Sequence, residues 1–217
     1  MLRFIRDGRG EPAWNMAADE ALLRHCSAPV LRVYGWTVPA VSIGYFQRLA
    51  VVPPGRIFVR RLTGGGLVDH ADDLTYTVVL PPGHPLAIAG TAASYSAMHQ
   101  AVASALIDCG VPCSLAAESC GSDAAACFQK PVRFDVVSPD GRKLAGAAQR
   151  RSRAGILHQG SILAPALPAE FVDALMVKMT GILASGALPG VLSAEENTTA
   201  RDLQVSRYGT DDWNRRR

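Results

Sequence analysis

Three consecutive glycines, Gly64-Gly65-Gly66, interrupt the chain between two runs of strand composition, Ile57 to Arg60 and Leu74 to Leu80. Glycine accepts positive φ and lets another group approach the backbone closely. A triplet at a strand end is therefore either a tight turn or a cradle for a phosphate or oxyanion. The flanks bear on that choice. Arg60-Arg61-Leu62-Thr63 enters the turn and Leu67-Val68-Asp69-His70 leaves it, so a basic pair, a hydroxyl and a histidine share one short segment. Neither a P-loop ending in GK[ST] nor a GxGxxG fingerprint is present, which sets aside the common nucleotide loops.

Around this turn, short strands and helices follow each other without a βαβ rhythm, and the fold class expected is α+β with mixed sheets. Asn15 to Leu23 reads as a first helix with Asn15 as N-cap and Asp19 and Glu20 in its first turn. Val30 to Tyr34 and Val38 to Ile43 read as strands, and Leu74 to Leu80 as a half-buried one. Met98, Val102, Ala105 and Cys109 recur at helical spacing over Ser94 to Cys109, which Gly110 stops. Ser114 to Phe128 lacks bulky groups and reads as a mobile loop. Phe134 to Val137, the turn Ser138-Pro139-Asp140-Gly141, and Lys143 onward form a hairpin, and Gly155 to Leu163 the next strand. Pro168 opens a helix with Phe171, Leu175, Met179 and Ile182 on one face, and a short helix follows Ser193. Residues 205–217, ending Arg215-Arg216-Arg217, read as a solvated, flexible tail.

The 217 residues suit one domain, 1–217, and 48% hydrophobic residues suffice for a core. A net charge of +3 is too mild for a nucleic-acid binder, though it suits docking of an acidic protein. No apolar run approaches a membrane span and no signal-peptide core opens the chain. The five cysteines, an odd number, fit reduced thiols in the cytoplasm. Four of them, Cys109, Cys113, Cys120 and Cys127, lie close together, but their spacing contains no CxxC knuckle, and no metal site is expected.

Two residues carry reactive chemistry. Cys127, in Ala125-Ala126-Cys127-Phe128, is the best nucleophile, since a thiolate attacks carbonyls and thioesters. Cys113 and Cys120 share its segment, so proximity alone does not choose among them. Lys143 follows a turn, where a surface lysine is the default. Yet Gly146, Ala147 and Ala148 leave room beside it, and a lysine near a carbonyl stabilises a developing oxyanion, or acts as a base where burial depresses its pKa.

Taken in order, the blocks resemble the lipoate-protein ligase, octanoyltransferase and biotin-ligase superfamily. They are Asn15-Met16-Ala17-Ala18-Asp19-Glu20, Ser42-Ile43-Gly44-Tyr45-Phe46-Gln47, Arg61 to Gly66, His70 to Tyr76, Cys127-Phe128, Asp135-Val136-Val137, Gly141 to Arg150 and Leu157 to Leu163. The resemblance implies mixed β-sheets flanked by helices and a pocket for a medium-chain acyl group. Arg61, Thr63, Gly64, Gly65, Gly66 and His70 would line the acyl and head-group end. Lys143 would contact the reacting carbonyl. Gly146, Ala147, Ala148, Gln149 and His158 would shape the other wall, and Asp135 and Gly160 complete the substrate-binding set. Asp69 and Ala147 depart from the family pattern, standing where a bulky apolar residue and a serine are commoner.

Within the superfamily the resemblance is closest to octanoyltransferases that work through a cysteine, placed where Cys127 stands. They move octanoyl from acyl carrier protein to a lysine on lipoyl domains of 2-oxoacid dehydrogenases or on glycine cleavage H protein, without a cofactor. Only 54 residues follow Leu163, so no accessory domain is expected. Three alternatives stay open: a ligase using free lipoate with ATP and Mg²⁺ through an acyl-adenylate, an amidotransferase moving octanoyl between carrier proteins, and a non-catalytic binder of acyl groups or carrier proteins.

Overall fold

The structure is a computed structural model that describes residues 1–118, 131–163 and 167–216. Cys120, Cys127 and Phe128 lie outside the described residues, as does most of the segment read as a mobile loop; its first residues form β7 (Ser114–Leu115).

An eight-stranded sheet forms the frame. In spatial order it holds β11 (Ala187–Gly190), β1 (Leu2–Gly10), β2 (Val30–Trp36), β6 (Leu74–Leu80), β10 (Gly155–Ile162), β9 (Lys143–Ser152), β8 (Val136–Val137) and β7. Its first two pairings are parallel and the rest antiparallel. A second sheet of three strands, β4 (Ile57–Arg60), β3 (Ala40–Ile43) and β5 (Val68–Asp69), carries the glycine turn. The expected α+β fold with mixed sheets is the fold observed.

Helices cover both faces of the large sheet. After the short α2 (Pro85–Ile88), α3 (Thr91–Asp108) and α4 (Phe171–Leu183) place Met98, Val102, Leu106, Phe171, Leu175 and Met179 against Leu31, Val33, Tyr76, Val78 and Leu80. On the other face α1 (Pro12–Arg24) and α5 (Ala194–Leu203) bury Met16, Leu22, Ala200 and Leu203 against Ile5, Tyr34, Val79 and Leu157. This layering corrects the reading of β6: it is central and covered on both faces, so six of its seven residues are buried rather than alternate ones. On α4, Leu183 is buried where Ile182 was expected, and Ile182 is 37% exposed.

Two further readings change. α1 starts at Pro12 after Glu11, so Asn15 is not the cap but lies inside the helix, buried. Its amide donates to the carbonyls of Gly10 and Gly35 at 3.2 and 3.0 Å. Asp19 and Glu20 are buried mid-helix acids, not first-turn partners of the helix dipole. The C-terminal segment is also no loose tail. After a capping box at Ser193 and Glu196, α5 runs into a π-helical turn, Gln204–Tyr208, and α6 (Asp211–Asn214). Arg60 fastens it: this fully buried guanidinium donates to the carbonyls of Asn214 and Arg216 at 3.0 and 2.9 Å, and to those of Gly44 and Gln47 at 3.0 and 2.7 Å.

Candidate active site

The glycine turn and the β9–β10 hairpin face each other across a cavity of about 180 Å³. Of the residues singled out from sequence, Arg61, Gly65, Gly66, His70, Lys143, Gly146, Ala147, Ala148 and Gly160 line it. Thr63, Gly64, Asp135, Gln149 and His158 do not; the first three contact residues that do, while Gln149 and His158 pair with each other. Sequence reasoning missed Met16, Trp36, Ser42, Val68, Thr75 and Gln159 as lining residues. Met16, Ser42, Thr75 and Gln159 stand inside the matched blocks, which was the available signal; for Trp36 and Val68 there was none beyond strand composition.

On the glycine-turn wall, Arg61 is 5% exposed and directs its donors inward. Nη1 donates to the Ser42 carbonyl and Oγ at 2.8 and 2.6 Å, and Nη2 to the carbonyls of Gly64 and Gly66 at 3.0 and 2.7 Å. Arg61 thus shapes the loop it precedes. Burial lowers its pKa to about 10. Gly65 adopts φ +83°, and a Cβ on Gly44 would sit 2.0 Å from the Gly65 carbonyl oxygen, so both must be glycine for the loop to close on β3.

Because Ser42 Oγ accepts from Arg61, its own hydrogen points to His70 Nε2 at 2.6 Å, and His70 Nδ1 donates to Asp73 Oδ2 at 2.8 Å. Thr75 and Ser161 hydroxyls also donate to Asp73 Oδ2. Trp36 stacks on the His70 ring at 3.9 Å between centroids and donates to Thr75 Oγ1. Burial lowers the His70 pKa, against the raising effect of Asp73, which suits a neutral imidazole with its proton on Nδ1. Ser42, in the middle of β3, is a bracing link in this chain.

Beneath the cavity, Asp19 is fully buried and four donors meet it: Arg32 Nη1 at 2.7 Å, the Tyr34 hydroxyl at 2.9 Å, Thr77 Oγ1 at 2.8 Å and Gln159 Nε2 at 2.7 Å. Gln159 Oε1 in turn accepts from Thr63 Oγ1 at 2.8 Å. One carboxylate on α1 therefore links β2, β6, β10 and the glycine turn.

On the opposite wall, Lys143 Nζ pairs with Asp135 Oδ2 at 2.8 Å. Asp135 also accepts from the Val132 amide at 2.8 Å and from the Tyr95 hydroxyl at 2.5 Å, and the Ala147 amide donates to that hydroxyl at 3.0 Å. The lysine crosses Gly146 so closely that a Cβ there would lie 2.4 Å from Nζ, and a Cβ on Gly160 would meet the Tyr76 ring at 2.2 Å. Behind this wall Gln149 Nε2 donates to His158 Nδ1 at 3.0 Å, and His158 Nε2 lies 3.1 Å from the Tyr76 hydroxyl. Burial lowers the pKa of His158 well below its usual value and that of neighbouring His99 to about 4.

The three described cysteines are free thiols, and burial raises the pKa of each, to about 11 for Cys26. No group of three or more His, Cys, Asp or Glu suited to a metal occurs among the described residues, and none of their helices is long and apolar enough to cross a membrane.

The arrangement is a largely apolar cavity bordered by a lysine and by glycines of both walls. The fold is similar to that of Ta0514 from T. acidophilum, solved with lipoic acid bound: TM-score 0.82 and 23% identity, over 98% of each chain. Residues 11–187 match the lipoyl protein ligase A/B catalytic domain, and the chain belongs to that family. Octanoyltransferase LipM of Moorella thermoacetica is 41% identical over 176 residues, 74% of this chain and 64% of the relative's own length. Octanoyltransferase LipM of Kyrpidia tusciae is 32% identical over 99% of this chain and 98% of the relative.

Proposed function

We propose that this protein transfers an octanoyl group from acyl carrier protein to a lysine of a lipoyl domain, through a thioester on Cys127. The observation that carries the reading is the cavity with Lys143 at its edge. At about 180 Å³ it exceeds the ~150 Å³ void that admits a benzene ring in an engineered core. A medium-chain acyl group fits that scale, with its carbonyl beside the lysine. The names of the LipM relatives support octanoyl as the group moved. Val132, five residues after Cys127 in sequence, lines the cavity. The raised pKa values of the three described thiols leave Cys120 and Cys127 as the candidates for an activated thiolate.

The Cys127 thiolate attacks the thioester carbonyl, and Lys143 with backbone donors of the glycine turn stabilises the oxyanion. The carrier thiol leaves with the proton that Cys127 gave up. The neutral amine of the acceptor lysine then attacks the acyl-cysteine, an amide forms, and the Cys127 thiol is restored. Amide formation from a thioester is downhill, so the reaction uses neither ATP nor Mg²⁺. The acceptors are lipoyl domains of 2-oxoacid dehydrogenases or glycine cleavage H protein.

Incubation with octanoyl-acyl carrier protein should place an octanoyl adduct on Cys127, seen by peptide mass spectrometry, and added apo lipoyl domain should discharge it. Full activity in Cys127→Ser, or modification only from free octanoate or lipoate plus ATP, overturns the proposal.

A further inference from the structure

Beside the cavity, the chain from Gly44 to Gln47 folds back on the glycine turn, and the Tyr45 amide donates to the Thr63 carbonyl at 2.8 Å. Two guanidinium groups flank the Tyr45 ring. Arg216 lies 3.9 Å from its centroid and Arg150 5.2 Å. Arg216 also lies 4.1 Å over Trp213. Phe46 packs edge-on against Tyr45 at 4.8 Å and is 83% exposed. Arg150 is two residues along β9 from Ala148 in the cavity wall, so the two share a face of the strand.

Nearby arginines have carboxylate partners: Arg207 pairs with Glu20, Arg215 with Asp211 and Arg56 with Asp69. Arg150 and Arg216 have none among the described residues. Their positive field reaches Tyr45, whose phenol pKa is lowered first by the hydrogen bond to Arg216, against the raising effect of burial, and further by the charges of Arg216, Arg150 and Arg207. One exposed aromatic is ordinary on a protein surface. An exposed phenylalanine beside two uncompensated arginines, at the edge of an acyl cavity, has the composition of an interface centre, where aromatic residues and arginine dominate binding energy.

We propose that this patch, Phe46 with Arg150 and Arg216, docks the acidic face of the carrier protein that delivers the acyl thioester. The inference rests on the transfer reading and names the surface that reading requires. Arginine forks match carboxylates, and charges at a rim speed encounter with an oppositely charged partner. The acceptor fits this patch less well, because it presents a lysine, and two guanidinium groups with no carboxylate partner among the described residues repel its cationic form.

None of the three residues lines the cavity, so the test separates docking from chemistry. The variant Phe46→Ala/Arg150→Glu/Arg216→Glu is compared with the parent protein for anisotropy binding of labelled octanoyl-acyl carrier protein. KM and kcat are then measured with that substrate and with octanoyl-N-acetylcysteamine. Carrier Kd and KM are expected to rise about tenfold or more, with the small thioester unaffected. Single changes Arg150→Ala and Arg216→Ala, which guard against misfolding of the triple variant, should each weaken carrier binding about threefold and flatten its salt dependence. Unchanged carrier binding, an equal loss with the small thioester, or weakening towards apo lipoyl domain alone would overturn the inference. Patch-dependent carrier binding without turnover in the parent protein would sink the transfer reading and leave the docking surface standing.

Discussion

On the glycine-turn wall, Arg61 has no carboxylate partner among the described residues and donates to Ser42 and two loop carbonyls. On the β9 wall, Lys143 sits 2.8 Å from Asp135, which Tyr95 and the Val132 amide hold from behind. The difference lies in what each cation is for. A planar fork with both terminal nitrogens engaged is a brace, and it fixes the loop's shape. A compact ammonium is a point charge with rotatable donors, a form suited to facing a ligand oxygen. The glycine-turn wall and the β9 wall are thus built from different cations for physical reasons.

The comparison can be broken most strongly from below the glycine turn. Asp19→Ala leaves Arg32 buried with only Asp7 as an acidic partner and strands Gln159, and should cost about 3–5 kcal/mol in urea unfolding. A loss below 1 kcal/mol would mean that the network is slack. Next comes Lys143→Met. If the β9 wall is the reacting one, single-turnover octanoyl transfer should fall about 10²–10³-fold, as when an oxyanion donor is removed. A variant of Arg61 should instead change cavity shape and raise KM.

Acid should loosen the back of the β9 wall. The folded pKa of His99 is lowered from 6.5 to about 4, and those of His70 and His158 are lowered too. Below pH 6.5 the unfolded chain therefore binds more protons than the folded one. The associated stability is complete above about pH 6.5 and is lost as pH falls towards 4, on the order of 3 kcal/mol for His99 alone. Urea midpoints between pH 7 and 4.5 should show the fall, and His99→Gln should flatten it. The smallest effect is expected from Ser42→Ala, which leaves His70 Nε2 and one Arg61 N–H without a partner, a cost of about 1–3 kcal/mol by thermal unfolding. Its effect on octanoyl transfer should be slight if Ser42 only braces.

Much of this was legible before any coordinates. The hairpin around Ser138 to Gly141, the helix ending at Gly110 and the helix after Ser193 follow from turn and cap chemistry that a few neighbouring residues decide. Gly146 reads as leaving room beside Lys143 and Gly160 as a substrate-binding position, although the reason each is glycine, the close passage of Lys143 and Tyr76, is visible only in space. Asn15, by contrast, has the chemistry of a cap and was read as one. Its amide instead finds Gly10 and Gly35, contacts that exist only once β1 and β2 pair.

Arg60 and Arg61 mark the boundary. The sequence by itself determined that two cations enter a glycine turn, that strands and helices mix without a βαβ rhythm, and that the ordered blocks belong to an acyl-handling family. Only the tertiary structure decided that both arginines are buried, that Arg60 clamps a C-terminal segment more than 150 residues away while Arg61 forms the loop, and that Asp19 supports Thr63 through Gln159. Local propensity acts over a few bonds. The partners of a buried charge are chosen by strand order and layer packing, which bring together residues that no local pattern relates.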